Sequence, residues 1–272
     1  MNTIRLYLSL ALIFVLAQNN FAQEASLPQD GIYQKTWGER PVIQRPQLQE
    51  RDVLWEKRIW REIELGELQN QHFANESRPL IELLSWALED KKLSVYNEDF
   101  SSRMDYEEAM DYVYQIDTFF VMDLDGGCMG DNWEVVKTRI NPKDVTRFRI
   151  KEVAYVDKKD GQLKTQILGI APIRNIYDDN GNFLMAIPMF WFHFDELRPI
   201  LGQEQAPNRF QDAGQLSWAD VFEARQFSSY ITKQSNMQDL RLQDVYSGTD
   251  RLLQAEKIKN DMANYEHDFY GN

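Results

Sequence analysis

The middle of this chain is a succession of short runs rich in β-branched and aromatic residues, and that pattern limits the fold more than any other feature. The runs are Asp117 to Met122, Trp133 to Ile140, Thr146 to Val156, Lys164 to Ile173, Ile176 or Tyr177, and Asn182 to Phe194. Such composition favours extended strands. Between them, Asp157-Lys158-Lys159-Asp160-Gly161 and Asp178-Asp179-Asn180-Gly181 each place a glycine after Asp or Asn, supplying the positive φ that tight hairpins need. Strands joined by tight turns pair with their sequence neighbours. The expected product is a short antiparallel meander of about four to six strands with helices on one side, an α+β fold.

Helical periodicity flanks this region. From Glu50 to Leu65, Trp55, Ile59 and Ile63 recur at i, i+4 and i+8, which predicts a first helix with Arg58 and Arg61 on its outer side. A second helix is signalled by Ser77 as N-cap and Pro79 in the first turn, followed by Leu80, Leu83, Leu84, Ala87 and Leu88. Ser102-Arg103-Met104-Asp105 approximates a capping box for a third, running to about Val113. Ser217-Trp218-Ala219-Asp220 opens another, through about Phe227. A terminal amphipathic helix is expected over Asp250 to Tyr265, with Leu252, Ala255, Ile258, Met262 and Tyr265 on one stripe docking on the same domain, an intermolecular helix pair being the alternative.

The N-terminus reads as an export leader. Arg5 precedes an apolar run from Leu6 through Ala17, then a polar stretch ending near Ala22. A dozen helical residues rise only about 18 Å, short of the roughly 30 Å hydrocarbon core, so cleavage is expected in place of a permanent span. No cysteine lies near the cleavage site, so the lipid-modified cysteine of a lipoprotein is not expected. Residues 23–49 carry Pro28, Pro41 and Pro46 and read as an extended arm that orders against a partner. The remaining divisions are a core domain over residues 50–234 and a C-terminal helical segment over 235–272.

Charge and chemistry narrow the function. A formal net charge of −13 disfavours nucleic acid and anionic lipid as partners. The one cysteine, Cys128, permits no intrachain disulfide, so stability must come from a hydrophobic core. The three histidines, His72, His193 and His267, lack metal-site spacing, and His193 reads as a structural side chain on one strand face with Trp191. Cys128 sits among Asp123, Asp125 and Asp131, which would raise a thiol pKa and blunt it. Asp123, Asp125, Asp131 and Glu134 match positions 1, 3, 9 and 12 of a calcium loop, but Cys128 occupies the place of the required glycine. An acidic hairpin loop is the better reading, with a calcium-dependent or small-ligand-binding periplasmic module as the alternative function. Neither a catalytic residue nor a cofactor site is expected. Aromatics in charged company do stand out: Arg58, Trp60 and Arg61 belong to residue types that dominate protein interfaces, and they are the candidate partner-binding residues.

Several long strings carry a resemblance to a known family. They are Asp52-Val53-Leu54-Trp55-Glu56-Lys57-Arg58-Ile59-Trp60-Arg61-Glu62-Ile63, Pro79-Leu80-Ile81-Glu82-Leu83-Leu84, Asp111-Tyr112-Val113, and Ser217-Trp218-Ala219-Asp220-Val221-Phe222-Glu223-Ala224-Arg225. In these the chain resembles the GldN/PorN proteins, periplasmic components of the type IX secretion and gliding machinery. The resemblance implies a non-enzymatic subunit of a ring that self-associates under the outer membrane. The implied partners are a GldK/PorK-like outer-membrane lipoprotein and a GldM/PorM-like inner-membrane-anchored component. It supplies no catalytic residue.

Export generates the first prediction. Mass analysis of the protein recovered from cells should find an N-terminus near Gln23 and no attached lipid, and recovery of intact Met1 in the periplasm would contradict it.

Overall fold

The computed structural model describes Arg45 and residues 48–120, 133–178, 180–207 and 216–270. The expected leader, most of the arm, Cys128, Asp123, Asp125 and Asp131 lie outside the described residues. Nine strands are described: β1 (Val53–Glu64), β2 (Val95–Tyr96), β3 (Tyr114–Phe120), β4 (Trp133–Arg139), β5 (Val145–Asp157), β6 (Leu163–Tyr177), β7 (Phe183–Pro188), β8 (Trp191–His193) and β9 (Tyr230–Gln234). The described helices are α1 (Leu80–Glu89), α2 (Tyr106–Val113), α3 (Phe194–Gln203), α4 (Trp218–Glu223), α5 (Leu242–Val245) and α6 (Gly248–Tyr270). The expected α+β class is what the structure shows.

All pairings are antiparallel. The main sheet runs β2-β8-β6-β5-β1-β9, with β7 also paired to β6, while β3 and β4 form a separate two-stranded ribbon. The β5–β6 and β6–β7 hairpins are the predicted meander, and their turns hold Gly161 at φ +67° and Gly181 at φ +80°. In the second turn the Asp178 carboxylate accepts hydrogen bonds from the Asn180 and Asn182 amides at 3.0 and 2.6 Å.

The segment Glu50 to Leu65 is not a helix. It forms a short 3-10 turn (Glu50–Asp52) and then the twelve-residue strand β1. A spacing of four satisfies both periods, because i, i+4 and i+8 also share one face of a strand. What decides is pairing: β1 lies between β5, in register from Val53–Asp157 to Glu64–Arg147, and β9, opposite Ile59 to Glu62. Both neighbours satisfy backbone groups that a helix would satisfy internally. Valine, isoleucine and tryptophan suit such a strand.

Elsewhere the helices fall close to their expected places, with shifted caps. Pro79, not Ser77, is the N-cap of α1, and Ser77 instead donates its amide to Asn75. Asp105 caps α2 by accepting from the Glu107 amide, so Ser102 lies outside the helix. At α4 the predicted capping box is complete, Ser217 and Asp220 exchanging side-chain and backbone hydrogen bonds.

One face of the sheet buries the large core. Ile63, Phe148, Ile150, Ile167 and Ile170 meet Leu80, Leu84 and Leu88 of α1, Val113 of α2, Phe194, Leu197 and Leu201 of α3, and Trp218 and Phe222 of α4. Phe73 sits at its centre, its ring 5.2 Å from that of Trp218 and 5.6 Å from that of Phe222. A smaller cluster joins Ile59, Ala154 and Ile231 to Leu242 of α5 and to Ile258 and Met262 of α6. The C-terminal helix therefore docks on its own domain, although Leu252 faces solvent. Arg45 also seats on the domain: its guanidinium donates to Asp195 at 3.0 Å and to the Ile167 carbonyl, over the Phe194 ring.

Buried charges tie β1 to its neighbours. Glu62, 4% exposed, accepts from Arg149 at 3.0 and 2.6 Å, from Arg147 at 3.0 Å and from the Tyr230 hydroxyl at 3.1 Å. Burial pushes the Glu62 carboxyl up, but Arg149, Arg147 and Tyr230 together hold it below the usual carboxylate range. The same burial, with Glu62 and Glu64 nearby, pushes Tyr230 up to about 12.

Because the Glu62 pKa is lower folded than unfolded, its stabilisation is complete above the ordinary value of 4.5 and is lost as pH falls through the folded value. Glu62→Gln should cost about 3 to 5 kcal/mol in urea unfolding at neutral pH, because it strands the buried Arg149 and removes the partner of the half-buried Arg147. It should also flatten the loss of stability seen in wild type below about pH 4.5, and an unchanged acid profile would count against the linkage.

Candidate interaction surface

Strand geometry separates the three candidate partner-binding residues. Arg58 lies opposite Val153 and Trp60 opposite Lys151, on one face of β1, whereas Arg61 lies opposite Ile150 on the other. Arg58 and Arg61 do not share a side, as a helix would have arranged. Only Arg58 is exposed; Trp60 is 7% exposed.

Arg61 is committed inside the domain. Its Nε lies 3.2 Å from the fully buried Glu152, which Arg225 approaches at 2.9 Å from a different segment. Glu152 stands between Ile150 of the large core cluster and Ala154 of the smaller one. Burial pulls the Arg61 guanidinium below its ordinary pKa against the upward pull of Glu152. Removing Arg61 or Arg225 would leave the carboxylate with half its compensation and destabilise the fold.

The face carrying Arg58 and Trp60 is built from charge laid on aromatic rings. Lys233 of β9 places Nζ 4.3 Å from the Trp60 ring centroid, and Lys151 of β5 lies 5.6 Å from it. Both lysines are at most 5% exposed. Each finds a partner: Lys151 donates to the Glu98 carbonyl at 2.7 Å, and Lys233 pairs with Asp239 at 2.6 Å and Glu98 at 3.5 Å. Desolvated cations over a ring face are stabilised by its quadrupole. Burial lowers the Lys151 pKa, Arg58 and Lys233 lower it further as like charges, and Glu98 and Asp99 oppose them.

The turn from Asn97 to Ser102 caps this face. Asp99 accepts from the Ser101 amide and hydroxyl at 3.0 and 2.8 Å, and Phe100 is held at φ +62°, an uncommon conformation for a bulky residue. That conformation lays the Phe100 ring 4.6 Å from Lys151 Nζ and edge-on to Trp191 and His193. Gly169 leaves room for it: a Cβ there would overlap the Phe100 ring and lie 2.8 Å from the Phe192 carbonyl oxygen. His193 packs edge-on against Tyr96 and Phe100.

The sequence reading missed Lys151, Lys233, Glu98 and Phe100. A signal was present at Arg147, Arg149 and Lys151, which alternate with Phe148 and Ile150, but such alternation normally marks a solvated strand face. Here turns and neighbouring side chains cover it. Of the calcium-loop candidates, Asp123, Asp125 and Asp131 lie outside the described residues; Glu134 belongs to β4, so strands flank that loop as expected. Among the described residues no group of three or more His, Cys, Asp or Glu is placed to hold a metal ion. The arrangement can present one exposed guanidinium, Arg58, backed by two buried ammonium groups.

Two outcomes test this face. Arg58→Ala should raise the Lys151 titration midpoint, followed by NMR of methylated lysines, because a like charge is removed while Lys233, Glu98 and Asp99 remain. Gly169→Ala should lower stability by about 1 to 3 kcal/mol, since the Phe192 backbone cannot yield as a flexible side chain would.

Comparison with known proteins agrees with the strings noted in the sequence. No individually curated protein matches the chain. A family described as gliding motility associated protein GldN matches residues 48–271, a span that contains every strand and helix described above. The chain belongs to the GldN family.

Proposed function

We propose that the chain is a non-enzymatic structural subunit of a periplasmic ring that supports protein secretion across the outer membrane. The coarser statement follows from the family itself: the chain is a component of the gliding-motility and type IX secretion machinery. The observation that carries the finer reading is the family match over residues 48–271, joined to the exposed Arg58 beside the buried Lys151 and Lys233. In this reading the subunit associates with copies of itself and with a GldK/PorK-like outer-membrane lipoprotein, and contacts a GldM/PorM-like inner-membrane-anchored component. The lipoprotein holds it to the outer membrane from the periplasm. No helix among the described residues is long and apolar enough to cross a membrane.

Arg58 is the residue best placed to meet such a partner. An exposed ion pair contributes only about 0.2 to 1 kcal/mol, but a charge pair desolvated at an interface costs several when one member is truncated. Its neighbours Trp60 and Arg61 act through the fold, by keeping β1 in place.

Co-expression of the chain with the lipoprotein, its lipid-bearing cysteine removed, should yield a large complex by size-exclusion chromatography. Arg58→Glu should weaken that complex by about tenfold or more while leaving the melting temperature near wild type. Arg61→Ala should instead lower the melting temperature. Failure of the wild-type chains to co-elute would overturn the assembly reading, and calcium-dependent compaction without any complex would favour a ligand-binding module.

A further inference from the structure

One partly buried arginine of the main sheet has no partner. Arg61, Arg147 and Arg149 of the same sheet each meet a carboxylate. Arg174 of β6, set between Val145 of β5 and Ile187 of β7, makes no hydrogen bond or ion pair among the described residues, and its Nε is buried without an acceptor. A guanidinium carries five donors and stays charged, so donors left unmet away from bulk water are costly. Arg174 lines a cleft of about 560 Å³, within the size range of small-ligand sites.

The cleft forms where the end of β6 passes the junction of α2 with β3 and the 3-10 turn Pro142–Asp144 that precedes β5. Those two elements bring Asp111 and Asp144 to it, and neither carboxylate pairs with Arg174. The cleft therefore holds unjoined charges of both signs. Asn175 is already engaged: the Thr146 hydroxyl donates to its Oδ1 at 3.2 Å, and its Nδ2 donates to the Tyr177 hydroxyl at 3.3 Å. Ile116 of β3 and Tyr177 of β6, both exposed, give the cleft apolar surface. A ligand matching this lining carries a carboxylate for Arg174, a cation for Asp111 and Asp144, and an apolar group for Ile116 and Tyr177. Inorganic phosphate meets the first of these and is repelled by the second.

We propose that this cleft binds a free apolar α-amino acid in its zwitterionic form. A carboxylate and an ammonium on one carbon supply both charges in a ligand of no net charge, and the side chain lies against Ile116 and Tyr177. The planar fork of Arg174 suits a carboxylate, whose two oxygens accept parallel charge-assisted hydrogen bonds. A carboxylate without the ammonium would meet two like charges, and an ammonium without the carboxylate would leave the guanidinium unmet. Ile116 belongs to the two-stranded ribbon and Arg174 to the main sheet, so a bound amino acid bridges the two sheets. The cleft includes no residue of β1, and the proposal does not rest on the assembly reading.

Isothermal titration calorimetry of the mature chain with L-phenylalanine should show saturable binding, with a dissociation constant on the order of 0.1 to 1 millimolar. L-phenylalanine amide, which lacks the carboxylate, and N-acetyl-L-phenylalanine, which lacks the ammonium, should each bind about tenfold or more weaker. In Arg174→Gln the amino acid and its amide should bind alike, circular dichroism melting confirming that the variant folds. Asp144→Asn should weaken binding of L-phenylalanine and leave that of N-acetyl-L-phenylalanine no weaker. Absence of L-phenylalanine binding to the wild-type chain up to about 10 millimolar would overturn the proposal. Equal binding of the amide to wild type would overturn it as well, as would a folded Arg174→Gln that still prefers the amino acid. Tighter binding of inorganic phosphate than of L-phenylalanine would mark a simple anion site and overturn it too, whether or not the chain joins a lipoprotein complex.

Discussion

The pairing of β1 with β5 is the interaction on which the rest of this fold depends. It brings residues 53–64 beside 147–157 and creates the surface on which every other layer is laid. One side of the pair supplies Ile63, Phe148 and Ile150 to the core beneath the helices. The other supplies Trp60, Lys151, Glu62 and Arg149, whose charges are satisfied only because this register sets them side by side. A one-residue slip would exchange the two sides and bury the wrong set, so the alternation of apolar and charged residues fixes the register. Closing loops of some ninety residues is entropically costly, and the apolar burial of both faces is what offsets it.

Buried charge in this protein works as a locator more than as a source of stability. Replacing well-placed buried ion pairs with apolar groups is often neutral in stability, so Glu62 and Glu152 are best understood through the cost of breaking them. Glu152 draws Arg61 from β1 and Arg225 from the turn after α4 to one point, joining segments more than 150 residues apart. Glu62 does the same for Arg147, Arg149 and Tyr230 of β9. Wrong arrangements would leave a carboxylate or guanidinium buried alone. The strings that carry the family resemblance include Arg61 and Arg225, and in the folded chain those two residues share one carboxylate.

The same logic explains why the charged aromatic string on β1 misled a sequence reading. Tryptophan and arginine together are a fair signal for an interface, but they are equally the residues that stack and pair inside a fold. Trp60 lies under Lys233 and Lys151, and Arg61 is held by Glu152, which leaves Arg58 alone of the three at the surface. Which reading holds depends on partners far away in sequence, and no local pattern specifies them.

By itself the sequence determined the elements whose causes are local. Asp-Gly and Asn-Gly turns require positive φ, so the β5–β6 and β6–β7 hairpins were legible. The Ser217–Asp220 box names its own helix start, and the leucines from Leu80 to Leu88 name the buried side of α1. The family, too, was legible, in long strings of unusual residues. Only the tertiary structure decided what Glu50 to Leu65 becomes and which of its side chains see water. Apolar residues four apart fit a helix and a strand equally, so the outcome rests on whether β5 and β9 are there to take the backbone hydrogen bonds. Nor could composition show that β9 exists: five residues, Tyr230–Gln234, form a strand because β1 offers them an edge. Local causes can be read one window at a time, whereas a strand's identity is a property of its neighbours.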